Sequence, residues 1–217
     1  MGSAPPVMPA TAGTAPAQSP IALRFQRLEL EQKAQLSPAG LACVAGSRGP
    51  QELLAALQAL GDPRDVTAAL AMMLPHRQVV WWSCLAVRLL PNLTRNPADV
   101  GAVEAAESWV QSAAAADAER AGVAAEACDL RYAPGWSAMA AYWSGPSLTP
   151  RGQAAVAPAA YLAGTAARSA LLLAVHDSGL AGRLQPSDLL GIGLALMNGD
   201  TGRQAQAALH ERLRSVA

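Results

Sequence analysis

The stretch "LPHRQVVWWSCLAVRLLP", residues 74–91, sets two tryptophans side by side, Trp81 and Trp82, in a chain whose aromatic share is only 4%. Neighbouring positions on a helix point about 100° apart, so one apolar stripe cannot take both rings. With Trp82 at zero, Leu89, Leu85, Ala86 and Val79 fall within about 60° of it and make one apolar face. Val80, Val87 and Cys84 fill most of what remains, which leaves a single strip holding Trp81, Arg77 and Arg88. A helix apolar nearly all round belongs in the middle of a bundle, and this one predicts Trp82 in the main core. Trp81 has three candidate roles: a subsidiary core with an arginine stacked on the ring, an anchor for an intramolecular loop, or a hot spot for a partner. On residue chemistry alone the packing roles come first, with the crossover over residues 145–158 as the expected cover. Arg77, Trp81 and Arg88 are the candidate partner-binding residues.

Working outward, the same helix grammar recurs. Ser37 and Pro38 open one helix; Pro50 opens the next, with Leu53, Leu57 and Leu60 on one face and Gly61 closing it. Asp62 and Pro63 start another that Pro75 interrupts, and Asn96 with Pro97 caps a helix whose apolar side is Val103, Ala106, Trp109 and Val110. Trp136, Ala140 and Trp143 stand at i, i+4 and i+7. After the crossover come "AAYLAGTAARSALLLAVHDSG" and "PSDLLGIGLALMNGDTGRQAQAALHERLR", with Ser187 expected to cap the latter and "NGD" dividing it. Short connections between segments of fifteen to twenty residues favour antiparallel packing. The expected fold is all-α: one domain over residues 21–217, a bundle of about eight to ten helices. Residues 1–20, uncharged and rich in proline and alanine, are expected to be a flexible, disordered tail.

Composition agrees. Residues are 52% hydrophobic and 15% charged, and alanine, a strong helix former and poor strand former, makes up about a quarter of the chain. Sixteen basic and sixteen acidic residues cancel, which removes the general footprint of a nucleic-acid binder. The charge is mildly uneven, because residues 97–133 carry seven acidic and two basic groups. The apolar runs "SALLLAV" and "LLGIGLALM" fall short of the ~18 residues needed to span a bilayer, so no membrane insertion is expected. The first twenty residues lack the basic and apolar regions of a secretory signal. Three cysteines without C-x-x-C spacing suit a reducing compartment, and a cytoplasmic location is expected.

No catalytic, cofactor or metal signature survives inspection. "GIGLAL" has Leu196 where a dinucleotide loop needs a third glycine, and the single lysine, Lys33, lies in no glycine-rich loop. Glu104 and Glu107 share a face with no histidine beside them, and His76, His176 and His210 have no metal-ligand spacing. Cys84 and His76 stand two turns apart on one helix, about 12 Å along the axis, too far for a thiol–imidazole pair. The expectation is a protein without enzymatic activity or cofactor.

The order of motifs "LPHRQVVWWSCLAVR", "AAESWVQ", "AAYWSGPSLTP" and "YLAGTAARSALLLAV" resembles an uncharacterised family of bacterial proteins. It carries a Trp-Trp-x-Cys-Leu helix and a later aromatic-Trp-Ser-Gly segment, and the resemblance spans about residues 24–178. The positions that line up are Pro75, Arg77, Trp81, Trp82, Cys84, Leu85, Trp109, Trp143, Ser144 and Gly145. Such proteins are associated with genes for type VI secretion, including spike-tip proteins and loading adaptors. The resemblance implies a protein-binding accessory role, an adaptor or chaperone for a secretion spike or effector. The alternatives are an immunity or regulatory protein that covers a toxin with residues 97–133, and an enzyme using Cys84 or a histidine.

Overall fold

The computed structural model describes residues 19–149, 152–180 and 182–215, so the tail expected over residues 1–20 lies almost wholly outside the described residues. Those residues form eleven α-helices and one short 3-10 helix, with no strand among them. In chain order the helices are α1 (Arg27–Lys33), α2 (Pro38–Gly46), α3 (Pro50–Leu60), α4 (Pro63–Met73), α5 (His76–Val87), α6 (Pro97–Ser112), α7 (Ala115–Glu126), α8 (Ala133–Tyr142), α9 (Leu162–Val175), α10 (Pro186–Met197) and α11 (Arg203–Ser215). The 3-10 helix, Leu93–Arg95, sits between α5 and α6.

The starts and stops follow local chemistry. Six of the helices, α2, α3, α4, α6, α8 and α10, carry proline at their first or second position, where its missing N–H has no helical partner to lose. The Ser37 hydroxyl accepts from Gly40 N–H at 3.0 Å, and Asp62 and Asn96 accept from Arg64 and Ala98 at 2.9 and 3.1 Å. Gly61 ends α3 at φ 79°, a left-handed conformation open to glycine without a Cβ penalty. One expected cap moves: Gln185, not Ser187, stands before α10. Pro186 takes the first helical position, and Asp188 reaches back to accept the Gln185 N–H at 2.8 Å, the reciprocal half of a capping box.

Helices α5, α8 and α9 lie at the centre, with α6 and α7 packed on one side. On the other side α4 and α10 pack on the centre, α1 to α3 lie beyond α4, and α11 crosses α10 and α5. Buried side chains from Leu30 to Leu213 form one continuous apolar cluster. Helices α8 and α9 pack on each other and are rich in buried alanine: Ala138, Ala140, Ala141, Ala163, Ala166, Ala167 and Ala170 have no exposed surface. Small side chains let helix axes approach closely and recover dispersion contacts that a larger side chain would block. At Gly164 the backbones of α9 and α4 meet closely: a Cβ there would stand 2.5 Å from the Ala71 carbonyl oxygen.

Helix α5 is the inner helix that its sequence predicts. Val79, Val80, Trp82, Ser83, Cys84, Leu85, Ala86 and Val87 are all buried, and Trp82 has no exposed surface. The Trp82 indole N–H donates to Leu189 O at 2.8 Å, which satisfies the one polar group that its burial would otherwise orphan. The crossover is also ordered where it is described: Leu148 N–H donates to Val156 O at 2.8 Å and the Tyr142 hydroxyl to Leu148 O at 2.5 Å.

Candidate functional site

The strip of α5 that carries Trp81 faces an open groove of about 330 Å³. Its walls are α5, the C-terminal turns of α6 and the connection between α10 and α11, with Ile21 at one rim. Each wall is fixed by a specific bond. Arg77 donates from Nε to Val110 O at 2.8 Å and from Nη2 to Gln111 O at 3.0 Å. These carbonyls belong to the last turn of α6, where backbone acceptors lack helical partners and the helix dipole favours a cation. Arg77 therefore caps α6 and ties it to α5.

The opposite wall is built by turn chemistry. Gly199 and Gly202 adopt φ 88° and 72°, and Asp200 Oδ1 accepts from Gly202 N–H at 3.2 Å, so "NGDTG" folds back sharply from α10. The turn brings the Thr201 carbonyl to the Trp81 indole N–H at 2.8 Å and sets the Arg203 guanidinium 4.8 Å from the centre of the Trp81 ring. Gln206 anchors α11 by donating to Leu85 O at 2.7 Å. The expected cover for Trp81 was the crossover over residues 145–158; the structure supplies the α10–α11 turn instead. The cation on the ring is likewise Arg203 and neither Arg77 nor Arg88.

Arg88 lies apart from the groove's lining. Its Nε and Nη2 make a paired fork with Glu107, at 2.9 and 2.7 Å, and that carboxylate raises the arginine's affinity for its proton. Glu107 does line the groove, so Arg88 reaches the site by holding Glu107 in place. Of the three residues singled out from sequence, Trp81 and Arg77 line the groove and Arg88 supports a lining residue. Arg203, Thr201, Gln78 and Ile21 are among the other residues that line it. Thr201 and Arg203 escape a sequence reading because glycines and aspartate announce a turn without saying which helix face the turn lands on.

The other chemically interesting groups lie elsewhere. The Cys84 thiol is fully buried, and that burial pushes its pKa well up; a thiol held neutral is a poor nucleophile. Burial and Asp99 push the Cys128 thiol up to about 11. Burial lowers the pKa of His76, the nearby Arg24 cation adds to the effect, and Ala160 O and Glu29 oppose it. Arg24 Nη1 stands 3.1 Å from His76 Nε2 and 3.3 Å from Ala160 O. Nε2 itself also stands 3.1 Å from Ala160 O; an arginine only donates and a carbonyl only accepts, so Nε2 can accept from Arg24 or donate to Ala160, not both at once. Among the described residues no group of three or more His, Cys, Asp or Glu side chains is placed to hold a metal ion. No described helix is long and apolar enough to cross a membrane. Within the acidic segment 97–133, Glu107, Asp117 and Asp129 pair with Arg88, Arg120 and Arg131, which blunts its field.

The model of a family described as a family of unknown function, DUF6931, matches residues 53–197. No curated protein and no solved structure matches the chain. The matched segment holds α5 and α6, whereas Ile21 and the turn over residues 199–203 fall outside it.

Proposed function

This chain belongs to the DUF6931 family, and from that premise we propose that it is a protein-binding accessory protein without enzymatic activity, whose docking surface is the Trp81 groove. The observation that carries this reading is the site's composition: a half-buried tryptophan flanked by Arg77 and Arg203 in an open groove. Tryptophan and arginine dominate the energetic centres of protein interfaces because they combine large contact area with directed hydrogen bonds. The groove's charges, Arg77 and Arg203 against Glu107 and Asp200, favour a partner of mixed polarity over nucleic acid or a strongly charged toxin. The finer identity, an adaptor or chaperone for a type VI secretion spike or effector, rests on the motif resemblance. Affinity capture of the tagged chain from its native host tests both levels. A spike or effector component retained by the wild-type chain supports the full reading, and failure to retain one removes the secretion assignment.

A further inference from the structure

Away from the Trp81 groove, a second recess opens where α4, α9 and α10 meet. Its inner part is a cavity of about 50 Å³ and its outer part an open trough of about 450 Å³; the two share Arg64, Leu172, Val175 and Pro186. One face of α9 forms the inner wall, because Arg168, Leu171, Leu172 and Val175 recur at i, i+3, i+4 and i+7 and all line the cavity. Thr67 of α4 and Leu189 of α10 line it as well. Leu172 is 36% exposed, a large apolar side chain left open to the trough.

Two polar groups on this cavity lack the partners that burial demands. Arg168 is half-buried, and that burial weakens its hold on its proton, with Asp65 opposing. Its guanidinium donates to the neutral Gln35 Oε1 at 3.1 Å, and among the described residues it has no ion-pair partner. The carboxylate of Asp65 is taken up by the Ser37 N–H and hydroxyl instead. Thr67 is only 7% exposed, and its hydroxyl has no hydrogen-bond partner among the described residues. A carboxylate suits both groups, since it accepts paired bonds from a guanidinium and a further bond from a hydroxyl. The exposed Arg64 adds a second cation, shared with Asp62 at 3.3 Å. The inner cavity holds a group of a few atoms and no more. From Arg168 to Val175 the wall runs about 10 Å along α9, the reach of an alkyl chain of middle length, and Leu172 and Val175 carry it into the trough beside Pro186.

We propose that this recess binds a medium-chain monocarboxylate, its carboxylate on Arg168 and Thr67 and its alkyl chain along Leu172 and Val175 into the trough. The site is separate from the Trp81 groove and does not depend on the docking role given to that groove. The test is isothermal titration calorimetry of the full chain with sodium butanoate, sodium octanoate and 1-octanol. Octanoate should bind saturably at one site. It should bind at least about tenfold more tightly than butanoate, because each buried methylene strengthens binding by up to about fourfold. Octanol, which has the chain without the charge, should bind at least about tenfold more weakly than octanoate.

Two variants locate the site. Arg168→Gln removes the guanidinium, and Leu172→Asp sets a carboxylate on the wall where it repels the ligand. Each should lower octanoate affinity at least about tenfold. Leu172 is exposed, so its replacement leaves the core filled and keeps the test decisive even where Arg168→Gln unfolds the chain. Arg203→Gln, in the Trp81 groove, should bind octanoate as the wild type does. Octanoate that does not saturate, octanol that binds as tightly, or undiminished affinity in a folded Arg168→Gln or Leu172→Asp chain overturns the proposal. Loss of binding in Arg203→Gln overturns it too, because it places the ligand over Trp81.

Discussion

At residue scale, Gly193 and Gly191 divide what "GIG" does in α10. A Cβ at Gly193 would stand 2.5 Å from the Trp82 ring, whereas one at Gly191 meets nothing within 4 Å. Gly193→Ala should therefore destabilise the protein by about 1–3 kcal/mol through overpacking. Gly191→Ala should stabilise it by about 0.5–1 kcal/mol, because alanine loses less backbone freedom in a helix. Paired urea unfolding curves check the difference in sign. Trp82→Ala should cost about 3–5 kcal/mol by the same measurement, since it empties a fully buried site. The sequence was explicit about Trp82, because its face of the helix was unbroken. For Trp81 it left three roles open: the ring's neighbours, Thr201 and Arg203, lie 120 and more positions downstream, and no local pattern encodes that meeting.

At the scale of elements, α5 is sealed on most sides and pinned at its start. Cys84 should resist a water-soluble disulfide reagent until the protein unfolds, while the half-buried Cys43 reacts in the native state; counting thiols released before and after denaturation tests this. At the N-terminal end of α5, burial and the Arg24 cation disfavour the protonated form of His76, against the Ala160 carbonyl and Glu29. Its folded pKa lies below the ordinary 6.5, so below that pH the unfolded chain binds the proton more readily than the folded one. Stability should thus fall as pH drops below about 6.5, with a shallower fall in His76→Gln, which keeps an acceptor and does not titrate. Denaturation midpoints across that range report the slope. Helix boundaries were legible wherever proline and a capping side chain coincided, as at Pro38, Pro63 and Pro97. The start of α10 was misjudged because Ser187 satisfies the capping preference while Pro186 had already fixed the first turn.

At the scale of the whole molecule, the all-α architecture follows from alanine-rich segments with short connections, and one continuous apolar cluster joins elements from α1 to α11. What composition could not supply is the convergence of distant segments on one surface. Ile21, the end of α6 and the α10–α11 turn meet over Trp81 only because α10 packs on α5 and α11 returns across both. The central claim is that adjacent tryptophans serve separate ends, Trp82 the fold and Trp81 a partner. It is tested most directly by quantitative capture of a spike or effector component with Arg203→Glu, which reverses the charge over the Trp81 ring. Val123→Asp, on the exposed face of α7, serves as the control. The account predicts that Arg203→Glu keeps its melting temperature within a few degrees, because an exposed cation–π contact is worth only about 0.5–1 kcal/mol and a glutamate suits a helix N-terminus. It also predicts that captured partner falls at least about tenfold, while Val123→Asp captures as the wild type does. Undiminished capture by a folded Arg203→Glu chain would contradict it.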